Sequence, residues 1–273
     1  MLQLSEIWIY PVKSFGGISL TQAQVTDRGL EHDRRWLLVD ANGLFVSQRE
    51  NPELALFQTE IAMGFLSITH REKLETIRVP LYQTFSETQE KITVTVWEDT
   101  IEAYEVNQAT TDWFTKILGF AARLVYMPEE SHRKVEAEYA VTKTDIISFS
   151  DGYPFLIIGQ SSLDDLNSRL KKSLPMNRFR PNFVFSGGLP YEEESWREFA
   201  IGDLSFFGVK PCARCIMTTV DQEKGVPSGK DPLLTLSKYR KKGNNVIFGQ
   251  NLIAAETGHI SVGNELKILK QIG

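Results

Sequence analysis

The chain has 273 residues, of which 42% are hydrophobic and 24% are charged, values that indicate a globular protein with a buried core. Its 30 basic and 35 acidic residues give a net charge of −5, which argues against a general nucleic-acid-binding protein but is compatible with a local basic pocket. Neither a signal peptide nor an apolar run of the roughly 20 residues that span a bilayer is visible. We therefore expect a soluble, cytoplasmic protein without a membrane partner.

Short β-rich segments dominate the N-terminal part of the chain. Hydrophobic residues partly alternate in them, and turn sequences rich in Gly, Asp and Asn separate them. Short, evenly spaced strands are typical of a sandwich or barrel. Strands are predicted within residues 4–12, 18–26, 34–40 and 91–99.

A helix and a loop are predicted next. Phe114 and Ile117 belong to an apolar pattern with helical spacing at residues 108–119, and Gly119 is a suitable C-terminal stop. Residues 127–145 are charged and aperiodic, which predicts a mobile surface loop.

The second half of the chain predicts more strands and two helices. Residues 153–158 indicate a buried strand, followed by a helix at 161–172 with Ser161 as its N-cap. A strand is predicted at 215–221, a short helix at 232–241, and strands again near the end of the chain. The sequence therefore predicts a mainly β fold with some α structure.

Both cysteines of the chain lie in the motif Pro211-Cys212-Ala213-Arg214-Cys215. The cation of Arg214 favours a thiolate, which is the form of cysteine that binds metals. A zinc site needs four ligands, and the four histidines are scattered. A redox dithiol normally begins a helix, and two buried inert cysteines are a further alternative. A single metal-ligating thiolate is the favoured interpretation, and the spacing leaves open which cysteine provides it.

Charged residues outside this motif suggest an anion site. Lys13 and Ser14 lie in a Gly-rich turn, and an ammonium, a hydroxyl and planar guanidinium groups suit a phosphate monoester. Asp151 precedes the predicted buried strand, where it is either a turn residue or an active-site residue. The arginines considered for the anion site are Arg34, Arg35, Arg49, Arg178 and Arg180.

The motifs together resemble those of a known family. The matching segments are IYPVKSFGGISL and GLEHDRRWLLVD near the start, then RFRPNFVFSG, ESWREFAIGD and PCARCIMTTVD. They resemble MOSC-domain proteins, named after the C-terminal domain of molybdenum-cofactor sulfurase, and in particular the mitochondrial amidoxime-reducing component and its bacterial relatives. The resemblance implies a β-rich N-terminal domain at 1–105, a β-barrel-like MOSC domain at 106–273, and a molybdenum cofactor between them.

The resemblance also implies roles for individual residues. Cys215 would ligate molybdenum, Asp151 would lie near the metal as a second catalytic residue, and Lys13 and Ser14 would hold the pterin phosphate of the molybdopterin. Further cofactor contacts are implied for Arg34, Arg180 and Arg214.

The activity that the resemblance implies is reduction of N-hydroxylated small molecules such as amidoximes and hydroxylamines. Electrons would come from a separate donor protein, either a flavin reductase or a ferredoxin- or cytochrome b5-like protein. The alternative is a carrier or transfer protein for the cofactor or for sulfur. A fused desulfurase domain would favour this alternative, and none is recognised in the sequence. Pyridoxal phosphate is not expected.

Overall fold

β-strands form most of the regular structure in the computed structural model, which describes residues 1–86 and 88–271. The strands before residue 130 are β1 (Gln3–Ile9), β2 (Ile18–Leu20), β3 (Gln22–Thr26), β4 (Gly29–Leu30), β5 (Trp36–Val39), β6 (Phe57–Ala62), β7 (Phe65–His70), β8 (Thr76–Pro80), β9 (Ile92–Val96), β10 (Asp99–Glu105) and β11 (Arg123–Tyr126). The strands after residue 130 are β12 (Arg133–Lys134), β13 (Ile146–Ile147), β14 (Phe155–Gly159), β15 (Phe183–Ser186), β16 (Trp196–Ile201), β17 (Leu204–Ala213), β18 (Val220–Asp221), β19 (Val226–Pro227), β20 (Lys241–Lys242), β21 (Asn245–Ala254), β22 (Gly258–Ser261) and β23 (Leu266–Gln271).

Helices are short and few in the described residues. The α-helices are α1 (Gln108–Leu118), α2 (Gln160–Arg169) and α3 (Leu233–Leu236), and 3-10 helices lie at Pro52–Leu56, Met176–Arg178, Glu192–Ser195 and Ile216–Thr219. The predicted fold class, mainly β with some α, is confirmed. No helix of the described segments has the length and apolar character needed to cross a membrane.

The largest sheet joins the two ends of the chain. Its strand order is β2-β1-β15-β14-β21-β17-β16-β23, with β20 paired to β21. The first strand, β1, therefore lies antiparallel to β15 of the second half. This pairing holds the start of the chain, and with it the turn after β1, against the second half.

A second core lies in the N-terminal part. Sheets β5-β11-β10-β9 and β6-β7-β8 surround it, and Trp36, Phe57 and Phe114 are fully buried inside. Helix α1 contributes Phe114 to this core and connects β10 to β11 of one sheet. The domain division at 105/106 stays a prediction.

Strand β14 separates two layers of packing, which explains why all five of its residues are buried. Phe155 and Ile157 face the core of the large sheet, whereas Leu156 and Ile158 pack beside Leu163 of α2. A strand buried on both faces is expected to lack polar alternation. The predicted buried strand at 153–158 is confirmed.

The predicted helices are present, with one wrong cap. Helix α1 ends at Gly119, which has a φ of +77° as a left-handed C-cap residue. Helix α2 begins at Gln160 with Gly159 as its N-cap, so the assignment of Ser161 as the cap is wrong. The buried Glu193 carboxylate satisfies this helix start instead, accepting hydrogen bonds from Gly159 N at 3.3 Å and Ser162 Oγ at 3.0 Å.

The prediction of a surface loop at 127–145 is wrong at Arg133. Strand β12 pairs with β13, and the Arg133 side chain is buried. Its Nε donates to Asp99 Oδ2 at 2.6 Å and its Nη2 to the Asp151 carbonyl at 3.0 Å. The Arg133 guanidinium can be buried in this otherwise charged segment because backbone carbonyls and a carboxylate accept its hydrogen bonds.

Candidate functional site

All seven residues predicted for the site line one cavity, which encloses about 850 Å³ and opens to solvent. The lining combines six basic side chains with one acidic side chain, although the whole chain is acidic. The titratable lining residues other than cysteine and tyrosine are Lys13, Arg34, Arg49, Asp151, Arg178, Arg180 and Arg214. Such an excess of cations suits an anionic ligand.

The Lys13–Ser14 turn is held in place by its two apolar neighbours. Val12 and Phe15 are fully buried in the N-terminal core, and Lys13 N donates to Trp36 O at 3.0 Å. Ser14 has a φ of +71°, in the left-handed region. Outliers of this kind concentrate at functional sites. The turn therefore presents Lys13 and Ser14 to the cavity from a rigid base.

The Lys13 ammonium is buried and bonded twice. Its Nζ donates to Phe149 O at 2.8 Å and to Asp151 Oδ1 at 2.6 Å. Burial lowers the pKa of Lys13 to about 8, and the Asp151 carboxylate opposes this effect only in part. The pKa of Lys13 therefore lies well below that of an ordinary lysine, and a further anion bound beside it would favour the charged form.

Asp151 contacts cations and an indole in the open cavity. Solvent reaches 61% of its side chain. Trp97 Nε1 donates to Oδ1 at 3.2 Å, and Arg49 Nη2 lies 3.8 Å from Oδ2. Surrounding protein atoms raise the pKa of Asp151, but Lys13 and then Arg49 outweigh them and hold this pKa well below its usual range. Asp151 is therefore an ionised acceptor.

Tyr10 separates two of the predicted arginines. The guanidinium of Arg34 lies 4.4 Å from the Tyr10 ring centroid, and that of Arg180 lies 4.1 Å from it. Arg34 pairs with the buried Asp33 at 2.5 Å, and Arg180 donates to Phe15 O at 2.5 Å. Burial raises the pKa of Tyr10 to about 12 and lowers that of Arg180 to about 10. The two guanidinium groups of Arg34 and Arg180 are thus both held against the Tyr10 ring.

The cysteine motif leaves the sheet at irregular positions of β17. The pairing of β17 with β21 shifts register between Gly208 and Lys210 and again between Pro211 and Ala213. Bulges of this kind re-aim side chains and are common beside active sites. They also accommodate Pro211 within a strand.

Each cysteine contacts a different arginine. Arg214 Nη1 donates to Cys212 Sγ at 2.8 Å, whereas Arg49 Nε donates to Cys215 Sγ at 3.2 Å. The cation beside Cys215 is therefore Arg49, not the Arg214 that precedes it in sequence. Both cysteines are free. No group of three or more His, Cys, Asp or Glu with metal-ligand geometry exists in the described part of the chain, which leaves a zinc site without its ligands.

The predicted strand at 215–221 is wrong for most of its length. Residues Ile216–Thr219 form a 3-10 helix, and strand β18 begins only at Val220. Thr218 Oγ1 donates to Cys215 O at 3.0 Å, and Thr219 Oγ1 donates to Ile216 O at 2.7 Å. Such local hydroxyl bonds favour a turn over extended backbone. The predicted strand after Cys215 therefore no longer argues against a dithiol pair.

The structure brings further residues to the site that the sequence did not assign to it. Arg49 and Arg178 belonged to the candidate basic group, and both line the cavity. Phe45 and Trp97 carried no recognisable signal. Arg178 is held by Ser228 Oγ at 2.9 Å and by Asp221 at 3.6 Å, so part of its charge is already paired.

Two family models match separate parts of this chain. Residues 1–121 match the MOSC N-terminal beta barrel domain, and residues 144–267 match the MOSC domain. Mitochondrial amidoxime-reducing component 1 of Homo sapiens is 35% identical over 285 residues, which cover 98% of this chain and 83% of that protein. Molybdenum cofactor sulfurase of Oryza sativa subsp. japonica is 32% identical over 91% of this chain but only 32% of its own length. Among solved structures, the YUAD protein from Bacillus subtilis aligns with a TM-score of 0.40 and 10% identity, over 97% of this chain and 94% of that one.

Proposed function

Because the chain belongs to the family of MOSC proteins that includes the mitochondrial amidoxime-reducing components, we propose that it is a molybdenum-dependent reductase of N-hydroxylated small molecules. The association with molybdenum cofactor follows from the family. The substrate class and the cysteine ligand are the finer parts of the proposal. One observation carries them: the Cys215 sulfur faces a cavity with six basic side chains and one ionised carboxylate.

The donor set of the cavity fits a molybdopterin with its metal. A phosphate needs several N–H and O–H donors, and the buried Arg214 Nε and Ser150 Oγ lack a hydrogen-bond partner among the described residues. Such unpaired buried groups are costly and are expected to be satisfied by a ligand. A thiolate suits a soft metal ligand set.

Different residues of the cavity would hold different parts of the molybdenum cofactor. Lys13, Ser14, Arg34 and Arg180 would hold the phosphate, and Arg214 would contact the remaining polar edge. Cys215 would ligate the metal. When bound, the molybdenum cofactor would supply the two-electron chemistry that cleaves an N–O bond and releases water.

The protein itself orients the substrate. Ionised Asp151 accepts hydrogen bonds, so it would hold the N–H or O–H groups of a substrate or a water, and not serve as a proton reservoir. Arg49 keeps a cation on the Cys215 sulfur, at 3.2 Å. Electrons would come from a separate donor protein.

A second candidate function is transfer of the cofactor or of sulfur. The similarity to molybdenum cofactor sulfurase over 91% of this chain supports it. In that case Cys215 would bind the cofactor without turnover of N-hydroxylated compounds. The two functions differ in activity and agree in metal content.

Metal content and turnover test the proposal together. The protein is expressed in a host that makes molybdenum cofactor, metals are measured by elemental analysis, and benzamidoxime reduction is assayed with an artificial electron donor. We expect about one molybdenum per chain, because one thiolate provides one site. Stoichiometric zinc would overturn the proposal, and molybdenum without turnover would favour transfer.

Paired variants test the choice of cysteine. Cys215→Ser is expected to remove the molybdenum–thiolate absorption, whereas the matched control Cys212→Ser largely keeps it. Both residues line the same cavity, and each accepts from one arginine. Equal loss in both variants would indicate a paired dithiol.

A further inference from the structure

Trp97 lies at the edge of the site in a conformation that is rare for tryptophan. Strands β9 and β10 pair Val96 with Asp99, so Trp97 and Glu98 form a two-residue hairpin loop. Trp97 has a φ of +58°, a region that such loops usually fill with Gly, Asn or Asp. A bulky side chain there is strained, and 42% of this residue is exposed. Neither the positive φ nor the exposure of this position gives the fold a reason to place tryptophan there.

The side chains that contact the Trp97 ring belong to residues that line the cavity. The Arg49 guanidinium lies 4.0 Å from its ring centroid, and its indole Nε1 donates to Asp151 Oδ1 at 3.2 Å. The Phe45 ring meets it edge-on, with centroids 4.9 Å apart. Arg49, Asp151 and Phe45 line the cavity. Trp97 is not itself one of the lining residues, but its half-exposed indole lies against three of them, including Arg49, which contacts Cys215.

One acceptor at this rim is only weakly used by the protein. Asp151 Oδ1 receives Lys13 and Trp97, whereas the nearest cation to Oδ2 is Arg49 Nη2 at 3.8 Å. This distance exceeds that of a normal hydrogen bond. A ligand with N–H or O–H groups can therefore bind Oδ2 while its other end lies against Trp97 and Phe45.

We propose that Trp97 determines substrate specificity, favouring N-hydroxylated groups on a flat aromatic ring over the same groups on a saturated ring. The inference rests on the proposed reductase function. Aromatic rings gain from offset or edge contacts with Trp97 and Phe45, whereas a puckered ring of equal size gains less. Asp151 fixes the polar end of the substrate, and the rim fixes the other end.

A matched pair of substrates tests this proposal. The ratio of kcat/KM for benzamidoxime to that for cyclohexanecarboxamidoxime is measured in the molybdenum-loaded protein. Trp97→Gly is expected to lower this ratio about three- to tenfold, while Trp97→Phe keeps most of it. Tyr82→Ala is the control, because Tyr82 is also exposed, at 72%, but its aromatic contact is His32, which does not line the cavity. An unchanged ratio in Trp97→Gly would overturn the proposal.

A binding measurement separates specificity from activity and from folding. Calorimetry compares benzamidine with cyclohexanecarboxamidine, which are not reduced, on the same loaded proteins. Trp97→Gly is expected to lose the preference for benzamidine without a lower thermal midpoint, because glycine relieves the positive φ. Trp97→Asn repeats the test with a residue that also tolerates this conformation. If the protein reduces neither amidoxime, the reductase function fails, and equal binding of both amidines by the wild-type protein would still overturn the role of Trp97.

Discussion

Replacing Asp151 by asparagine should change how phosphate binding depends on pH. The substitution keeps the shape but removes the carboxylate that bonds Lys13 at 2.6 Å. Burial already lowers the pKa of Lys13 to about 8, so at about pH 7.5 roughly three quarters of the wild-type ammonium is charged. Loss of the adjacent opposite charge should lower that pKa further, so that most of the ammonium is neutral at this pH in the variant.

The expected size of the effect follows from the hydrogen bond that Lys13 would donate. A bond from a charged group contributes about 1.5–3 kcal/mol, so its loss weakens phosphate binding by about tenfold or more. At about pH 5.5 both proteins keep much of the Lys13 charge, and removal of the anionic carboxylate favours phosphate. The ratio of dissociation constants, variant over wild type, should therefore rise from near one to about tenfold by about pH 7.5.

Calorimetry with inorganic phosphate over this pH range measures the ratio. The change in phosphate ionisation cancels, because both proteins bind the same ligand at each pH. Lys13→Met supplies the control: in that background Asp151→Asn should have no pH-dependent effect on binding. A ratio that stays constant across the range would refute the assignment of Lys13 as the titrating phosphate ligand.

Two further predictions concern stability. Burial raises the pKa of Glu193 to about 7, so between about pH 4.5 and 7 the folded protein binds more protons than the unfolded chain and stability falls with rising pH, by about 3 kcal/mol. Glu193→Gln should remove this fall, which urea unfolding at both ends of the range would show; an unchanged slope would contradict it. Gly119→Ala should destabilise by about 1 kcal/mol, since φ is +77° with open space around the added Cβ, and Gly119→Asn by less. Equal thermal midpoints for both variants and wild type would contradict this.

The sequence correctly predicted those helices and strands whose structure depends on residues close by in the chain. Helix α1 ends at Gly119 as the apolar spacing and the glycine indicated. Strand β14 has the continuous burial that its apolar run indicated. Where a distant residue satisfies the backbone, the same reasoning failed: Glu193, far along the chain, caps α2 in place of the predicted Ser161.

The sequence named residues that share one cavity, but it did not predict their contacts. All seven residues line one cavity, yet sequence adjacency paired Arg214 with both cysteines. The register shift in β17 turns Arg214 toward Cys212, and Arg49 approaches Cys215 from the N-terminal half. Trp97 escaped notice because a bulky residue at a position that favours glycine carries no local signal.

The cavity gathers cations at a cost that a bound anion would offset. The depressed pKa values of Lys13, about 8, and Arg180, about 10, show that burial opposes their charged forms. An anion among them would favour those charges and be held in return. Any ligand that binds only the folded state also stabilises that state. Loading of the proposed cofactor would therefore stabilise the fold, including the pairing of β1 with β15 that precedes the Lys13–Ser14 turn.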